Sequence, residues 1–189
     1  MKDEDIAGIA RSWWKTFMEP ETGEARATRA RLRRAHGWQQ AMLEPAAIVL
    51  ARRLGVTEHE WRLRMALGLA SVLAHVKENT PRPLMRELGF TTTPTDKSKG
   101  DPPRLAPARF TRLLRSTPGE LPLALIRLVR LAGGTANVGE LAAAMMNWTH
   151  EASREAQRRR WAFDYYAASA DAPDADTHSD PHEAEGTFA

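Results

Sequence analysis

Two adjacent stretches in the second half of the chain, residues 106–115 and 118–131, show the clearest separation of apolar from polar positions. At 100° per residue their apolar side chains fall on one side of a helix, and their arginines point away from that side or lie at its flank. Phe110, Leu113 and Leu114 form the apolar side of the first stretch. The arginines of the two stretches are Arg109, Arg112, Arg115, Arg127 and Arg130. The spacing therefore predicts two amphipathic helices that bury leucine and expose guanidinium groups.

Apolar residues also recur at helical spacing through most of the remaining chain. This spacing predicts further helices at residues 6–18, 24–34, 45–54, 57–78, 84–88, 137–149 and 151–168. The helix at 57–78, which Thr57 and Glu60 would open as a capping box, is predicted to be the central core helix. Trp13 and Trp14 are predicted to be core residues. Because alternating β-branched runs and hairpin dipeptides are missing, the sequence predicts an all-α protein.

The helical segments fall into two halves that residues 91–105 separate. Up to Pro103 this segment consists of polar residues, glycine and prolines, so we expect a flexible linker. It would join an N-terminal bundle at 1–90 to a C-terminal bundle at 106–170. Residues 171–189 contain six acids, no lysine or arginine and little apolar content. We expect this last segment to be a disordered acidic tail.

The formal net charge of +3 conceals an uneven distribution. Because six of the 24 acids lie in the tail, residues 1–170 carry all 27 basic residues against the remaining 18 acids, a balance of +9. Of the basic residues, 22 are arginine and five are lysine. Arginine makes planar, bidentate contacts to phosphate and stacks on bases, so this preference favours a phosphate-bearing partner.

Residues 24–34 carry five arginines and a single acid, Glu24. Arg26, Arg29 and Arg33 lie at positions i, i+3 and i+7, so they form one stripe along the predicted helix. A solvated helix would normally interleave acids that pair with its arginines. Their scarcity indicates an anionic partner for this stripe.

The closing helix carries four arginines among aromatic residues. Glu155 with Arg159 and Asp164 with Arg160 are predicted ion pairs at i, i+4 spacing. The other two arginines of this helix have no such partner and remain candidates for an external anion. They are Arg154 and Arg158.

Motifs of known chemistry are missing from the sequence. It has no glycine-rich phosphate loop, no His-Glu-x-x-His, no Gly-x-Ser-x-Gly and no cysteine, so we predict no catalytic residues and no cofactor. His75 is predicted to be a packed core histidine, and the tail pair His178 and His182 is not predicted to form a metal site. No signal peptide and no uncharged apolar run of membrane-spanning length occur, which favours a cytoplasmic protein without a membrane partner.

With catalytic and metal motifs missing, the main feature of the sequence is a positive surface on a helical scaffold. The alternative interpretation is that these arginines are simply the solvated faces of the helices. The spread of this surface over several helices favours contacts with a nucleic-acid backbone and weak sequence preference. The predicted nucleic-acid-binding residues are Arg26, Arg29, Arg33, Arg34, Arg109, Arg112, Arg115, Arg127, Arg130, Arg154, Arg158 and Arg159. A helical adaptor that docks acidic protein surfaces and a free-standing DNA-binding regulator are the other hypotheses.

Several elements of the chain resemble one known family. They are the Arg-Phe-x-Arg-Leu-Leu-Arg element at 109–115, the leucine-rich helix through 125–131, the helix with Trp148, the closing Arg-Arg-Arg-Trp-Ala-Phe-Asp-Tyr-Tyr at 158–166, and the early arginine cluster at 32–35. These features resemble the CasB family, the small subunit of the type I-E CRISPR surveillance complex Cascade. The resemblance covers residues 6–168.

The resemblance implies an all-α protein of two small bundles that does no catalysis. It implies a head-to-tail homodimer beside the other Cascade subunits, and a basic groove that holds single-stranded DNA and contacts the guide RNA. The strand would be the non-target strand displaced during R-loop formation. The arginines that match the family pattern are Arg33, Arg34, Arg109, Arg115, Arg127, Arg158 and Arg159.

Overall fold

The computed structural model describes residues 2–90 and 102–166, which form ten α-helices and two short β-strands. The helices are α1 (Asp3–Phe17), α2 (Gly23–Arg34), α3 (Trp38–Ala41), α4 (Pro45–Arg53), α5 (Glu60–Leu73), α6 (Leu84–Leu88), α7 (Pro107–Leu114), α8 (Leu121–Leu131), α9 (Val138–Asn147) and α10 (Glu151–Tyr166). The strands are β1 (Glu78–Asn79) and β2 (Thr135–Ala136). The predicted all-α class is confirmed. Most of the predicted linker, 91–101, and the predicted acidic tail, 171–189, lie outside the described residues.

Helix α5 is the central core helix, as predicted. Every residue from Met65 to Leu73 is buried, and the helix packs against α3, α4, α8 and α9. Helix α1 packs on α9, so helices from both predicted bundles share one apolar core. The division into two bundles stays a prediction. Trp13 and Trp14 belong to this core, and the Trp13 indole donates to the Ala46 carbonyl at 2.7 Å.

The bounds predicted for α5 are wrong at both ends. The Thr57 capping box does not form, because residues 56–59 make a turn and the helix starts at Glu60 behind His59. At the other end the helix stops at Leu73 rather than near residue 78. The chain then leaves the helix to form β1, which pairs in parallel with β2.

The short strand pair ties the end of α5 to the end of α8. Gly133 and Gly134 adopt positive φ angles of 77° and 98°, a conformation that glycine enters without steric cost and that ends α8 as predicted. The Gly134 carbonyl accepts from the backbone N–H of Lys77 at 2.8 Å. These strands and the four-residue α3 were not predicted, since elements this short carry no periodic pattern.

Helices α6, α7 and α10 meet around one tyrosine. Phe110 of α7 stacks on Tyr165 with ring centroids 3.9 Å apart, and the Tyr165 hydroxyl donates to the Leu105 carbonyl at 2.5 Å. The Phe90 N–H donates to the Tyr165 carbonyl at 3.0 Å. The chain on each side of residues 91–101 is therefore anchored to α10.

Gly89 allows the close approach of α6 to α10, so we predict that Gly89→Ala destabilises the fold. A Cβ atom there would collide with the Tyr165 carbonyl oxygen and lie 2.8 Å from the Met85 carbonyl oxygen. Both are backbone atoms, so we expect a loss of about 1–3 kcal/mol or more and a fall of several degrees in Tm. Gly119→Ala is the matched control, since nothing lies within 4 Å of its added Cβ. Equal Tm values for the two variants would contradict this close approach.

Glu140 of α9 joins three helices through its carboxylate. One oxygen accepts from the Leu84 N–H at the start of α6 at 2.8 Å, and the other from the Trp161 indole of α10 at 3.3 Å. Burial raises the pKa of Glu140 to about 7, although the hydrogen bond from Leu84 opposes this shift. The folded protein therefore keeps a proton that the unfolded chain loses.

We predict that the Glu140 carboxyl lowers stability as pH rises between 4.5, its ordinary pKa, and about 7. Glu140→Gln cannot ionise, so from pH 5 to pH 8 its free energy of unfolding should improve relative to wild type by about 1–3 kcal/mol. Urea unfolding at both pH values measures this. The comparison with wild type cancels the opposite contribution of His75, whose pKa is lowered to about 4. Parallel pH profiles would contradict the assignment.

Candidate nucleic-acid interface

The end of α5 holds an arginine of α2 in place. The Nε of Arg33 donates to the carbonyl of Ala74, the residue that follows the helix, at 2.6 Å. The last carbonyls of a helix lack partners within it and carry partial negative charge, so a guanidinium is a favourable partner there. Arg33 is nevertheless exposed, and its guanidinium makes no further hydrogen bond to the described residues.

Arg33 interacts electrostatically with Arg29, His75 and Arg130. We call these four residues the Arg33 cluster. Burial lowers the pKa of Arg33, and the charges of Arg29 and Arg130 lower it further. Burial likewise lowers the pKa of His75 to about 4, assisted by Arg130 and Arg33. The fold thus brings positive charges from α2 and α8 together, and an anion would relieve their repulsion.

His75 is packed, as predicted, with only 8% of its surface exposed. Because its pKa lies near 4, His75 is neutral at pH 7 and adds no charge to the cluster. Protonating it would add a further positive charge near those of Arg33 and Arg130. The positive charge of the cluster at neutral pH therefore comes from arginine alone.

Arg29 serves the protein rather than a ligand. Its side chain is 14% exposed and donates to the Met18 carbonyl at 2.5 Å and to the Glu21 carboxylate at 3.1 Å. Arg31 similarly pairs with Glu44 at 2.7 Å. Acids outside residues 24–34 thus reach two arginines of this segment, and one of the two, Arg29, belongs to the predicted stripe. Arg26 and Arg34 are exposed.

Helix α8 presents the second group of predicted arginines. Arg127 and Arg130 are exposed and make no hydrogen bond or ion pair with any residue in the described part of the chain. They are one turn apart on the same side of the helix, opposite the buried Leu125 and Val129. This confirms the predicted arrangement of a leucine side and an arginine side.

Helix α7 has the same arrangement. Phe110 and Leu113 are buried, and the three arginines of this segment are exposed. The charge of Arg112 helps to lower the pKa of Glu120, after the larger effect of two hydrogen bonds from Thr117. The exposed arginines are Arg109, Arg112 and Arg115.

The predicted ion pairs of α10 are wrong. Glu155 pairs with Arg158 at 3.5 Å, at i, i+3 spacing, and the two other partners come from distant elements. These tertiary pairs are Asp164 with Arg86 at 3.7 Å and Arg160 with Asp3 at 3.8 Å. Local spacing does not reveal them, because the partners meet only when α10 packs on α6 and α1.

Arg158 lies over the Trp148 ring, with its Cζ 5.6 Å from the ring centroid. The Trp148 indole donates to the Ser116 carbonyl, next to Arg115, at 3.0 Å. Arg154 is half-buried and Arg159 is exposed. Within residues 2–90 and 102–166, no interaction joins these α10 arginines to the Arg33 cluster. The arginines that interact electrostatically with one another across helices are therefore those of α2 and α8.

A groove beside the Arg33 cluster was missed by sequence reasoning. It has a volume of about 530 Å³ and is lined by α3, α5, α8 and the segments before α3 and α8. Trp61 and Arg64, at i, i+3 on the exposed start of α5, are the sequence signal that could have indicated it.

The described residues contain neither a side-chain cluster suited to a metal ion nor a membrane-spanning helix. No group of three or more His, Asp or Glu side chains there is placed to hold a metal ion. No helix in this part of the chain has the length and apolar character needed to cross a membrane. The tail histidines His178 and His182 lie outside the described residues.

Two solved structures share this fold. CasB from Thermus thermophilus is 18% identical with a TM-score of 0.57, covering 87% of this chain and 97% of that chain. A chain in the crystal structure of E. coli Cascade bound to a PAM-containing dsDNA target is 16% identical with a TM-score of 0.54, covering 82% of this chain and 95% of that chain. At such identities the likeness shows the fold.

No curated protein matches the chain in a sequence comparison. The model of one protein family, described as CRISPR-associated protein Cse2, matches residues 28–166, which is more than half of the chain. The match includes the arginine-bearing helices α7, α8 and α10 and most of α2. The resemblance to the CasB family is thereby confirmed, and the chain belongs to the Cse2 (CasB) family of CRISPR-associated proteins.

Proposed function

We propose that this chain is a non-catalytic small subunit of a Cascade surveillance complex and that it binds single-stranded nucleic acid through exposed arginines of α2 and α8. Its family and the likeness to a chain of E. coli Cascade support the first part. The Arg33 cluster is the observation that carries the second. Arg33 and Arg130 are almost 100 residues apart in sequence, yet the charge of Arg130 contributes to the lowered pKa of Arg33, and neither arginine forms an ion pair with an acid of the described residues.

The arrangement suits phosphate contacts better than base reading. Arg33, Arg34, Arg127 and Arg130 are exposed toward the C-terminal ends of α2 and α8, and guanidinium forks match the geometry of phosphate oxygens. Neither α2 nor α8 contains an asparagine or glutamine, side chains with which a recognition helix reads base edges. We therefore assign this surface to the displaced non-target strand of an R-loop.

The other predicted arginines extend the proposed surface. Arg26 and Arg159 are exposed, and so are the three arginines of the α7 segment. Arg154 and Arg158 are half-buried on α10. We propose that these residues contact the guide RNA, other Cascade subunits or the second copy of a head-to-tail homodimer, so that Arg33, Arg127 and Arg130 carry most of the strand binding.

The double variant Arg127→Ala/Arg130→Ala should bind single-stranded DNA less tightly and with a weaker salt dependence. Losing two phosphate contacts makes the slope of log K against log salt shallower by about 1.4, since each contact to a single strand contributes about 0.7. Fluorescence anisotropy at several salt concentrations measures the slope. Arg52→Ala/Arg53→Ala is the matched control, because it removes two exposed charges from α4, outside the cluster. Equal slopes in the two variants would overturn the proposed surface.

In the assembled complex, Arg127→Ala/Arg130→Ala should lower the yield of R-loops on a target duplex. The reason is that the displaced strand loses its contacts and re-anneals with the target strand more readily. Chemical probing of unpaired thymines in the non-target strand measures the yield. The variant complex must first show the same subunit composition as wild type. An unchanged R-loop yield would count against the non-target strand and favour an adaptor that docks acidic protein surfaces.

A further inference from the structure

The groove beside the Arg33 cluster is built from residues that suit a flat, aromatic ligand. Its volume is about 530 Å³, within the range of small-ligand sites. Trp38 and Trp61 line one wall, and Leu123 and Ile126 of α8 line the other. The function proposed above uses none of these side chains.

An arginine stacks on both tryptophans of the groove. The Cζ of Arg64 lies 4.9 Å from the ring centroid of Trp38 and 4.9 Å from that of Trp61. Glu60 forms an ion pair with Arg64 and helps to hold the guanidinium there. Trp61 is 59% exposed even though the Arg64 guanidinium contacts its ring. It is therefore a fixed aromatic platform open to solvent.

Both sides of the groove continue into the arginine surface. Ala35 and His36, at one rim, follow directly after Arg33 and Arg34. On α8, Leu123 lies on the same stripe as Arg127 and Arg130, at i, i+4 and i+7. A strand whose phosphates contact these arginines would thus pass the mouth of the groove.

We propose that the groove binds a nucleobase of the bound single strand, turned out of the strand and stacked on Trp61. This inference rests on the proposed function, because it needs a strand on the arginine surface. A nucleobase is favoured over an apolar segment of a partner protein because its ring can stack on the exposed indole of Trp61, while the phosphates of its strand suit the arginines beside the groove.

The test compares two labelled strands of equal length, one of ordinary DNA and one with abasic sites through its centre. Trp61→Ala in the full chain should weaken binding of the ordinary strand about 5- to 150-fold, the worth of one stacked base. Binding of the abasic strand should stay the same, since its phosphates are intact. Trp61→Phe should retain most of the affinity. Phe163→Ala is the matched control, since it removes a ring that is 76% exposed on α10, outside the groove.

Each other outcome has a defined meaning. Equal affinity of the wild type for both strands, unchanged in Trp61→Ala, would overturn the base site and leave the phosphate surface standing. The same loss for both strands in Trp61→Ala would also overturn it, because the ring would then support the fold or the arginines. An effect of Trp61→Ala only on assembly with other subunits would assign the groove to a protein partner. Failure of the wild type to bind either strand would overturn the proposed function as well.

Discussion

Complete burial of the second half of α5 is the constraint on which the other elements depend. Because residues 65–73 have no exposed member, partners must cover this helix on every side. Gly68 is part of this constraint, since a Cβ there would lie 3.2 Å from Pro122 of α8. The close contact sets where α8 lies, and the end of the same helix receives Arg33 through the Ala74 carbonyl. The core thereby determines how far apart the exposed arginines of α2 and α8 stand.

Apart from the four-residue α3, the helices of the described residues were predictable because their signals are local. Pro45 and Pro107 stand in the first turns of α4 and α7, and the apolar spacing of α8 appears within one short stretch. The bounds of α5 were not predictable. The strand pair after the helix depends on contacts with a distant segment, since the backbone N–H groups of Lys77 and Glu78 donate to the Gly134 carbonyl. Hydrophobic periodicity carries no information about such contacts.

The sequence predicted the kind of candidate site, a surface of exposed arginines, but not which arginines would belong to it. Arginine content and the stripes on predicted helices correctly pointed to exposed guanidinium groups on α7 and α8. The sequence could not show that Glu21 neutralises Arg29, or that Arg33 meets the end of α5, since each pair forms only on folding. The groove with Trp61 was missed for the same reason, because its walls come from helices far apart in the chain.

Arginine has two uses in this fold, and the atoms left free distinguish them. The Arg29 guanidinium donates hydrogen bonds to the Met18 carbonyl and the Glu21 carboxylate, and so holds α2 in place. Arg33 is bound to the protein through Nε alone, which fixes the plane of the guanidinium while the terminal nitrogens remain available. Side chains held in this way lose less conformational entropy when a ligand binds. Burial, together with the charges of Arg29 and Arg130, disfavours the charged form of Arg33, and a phosphate bound to its terminal nitrogens would offset both effects.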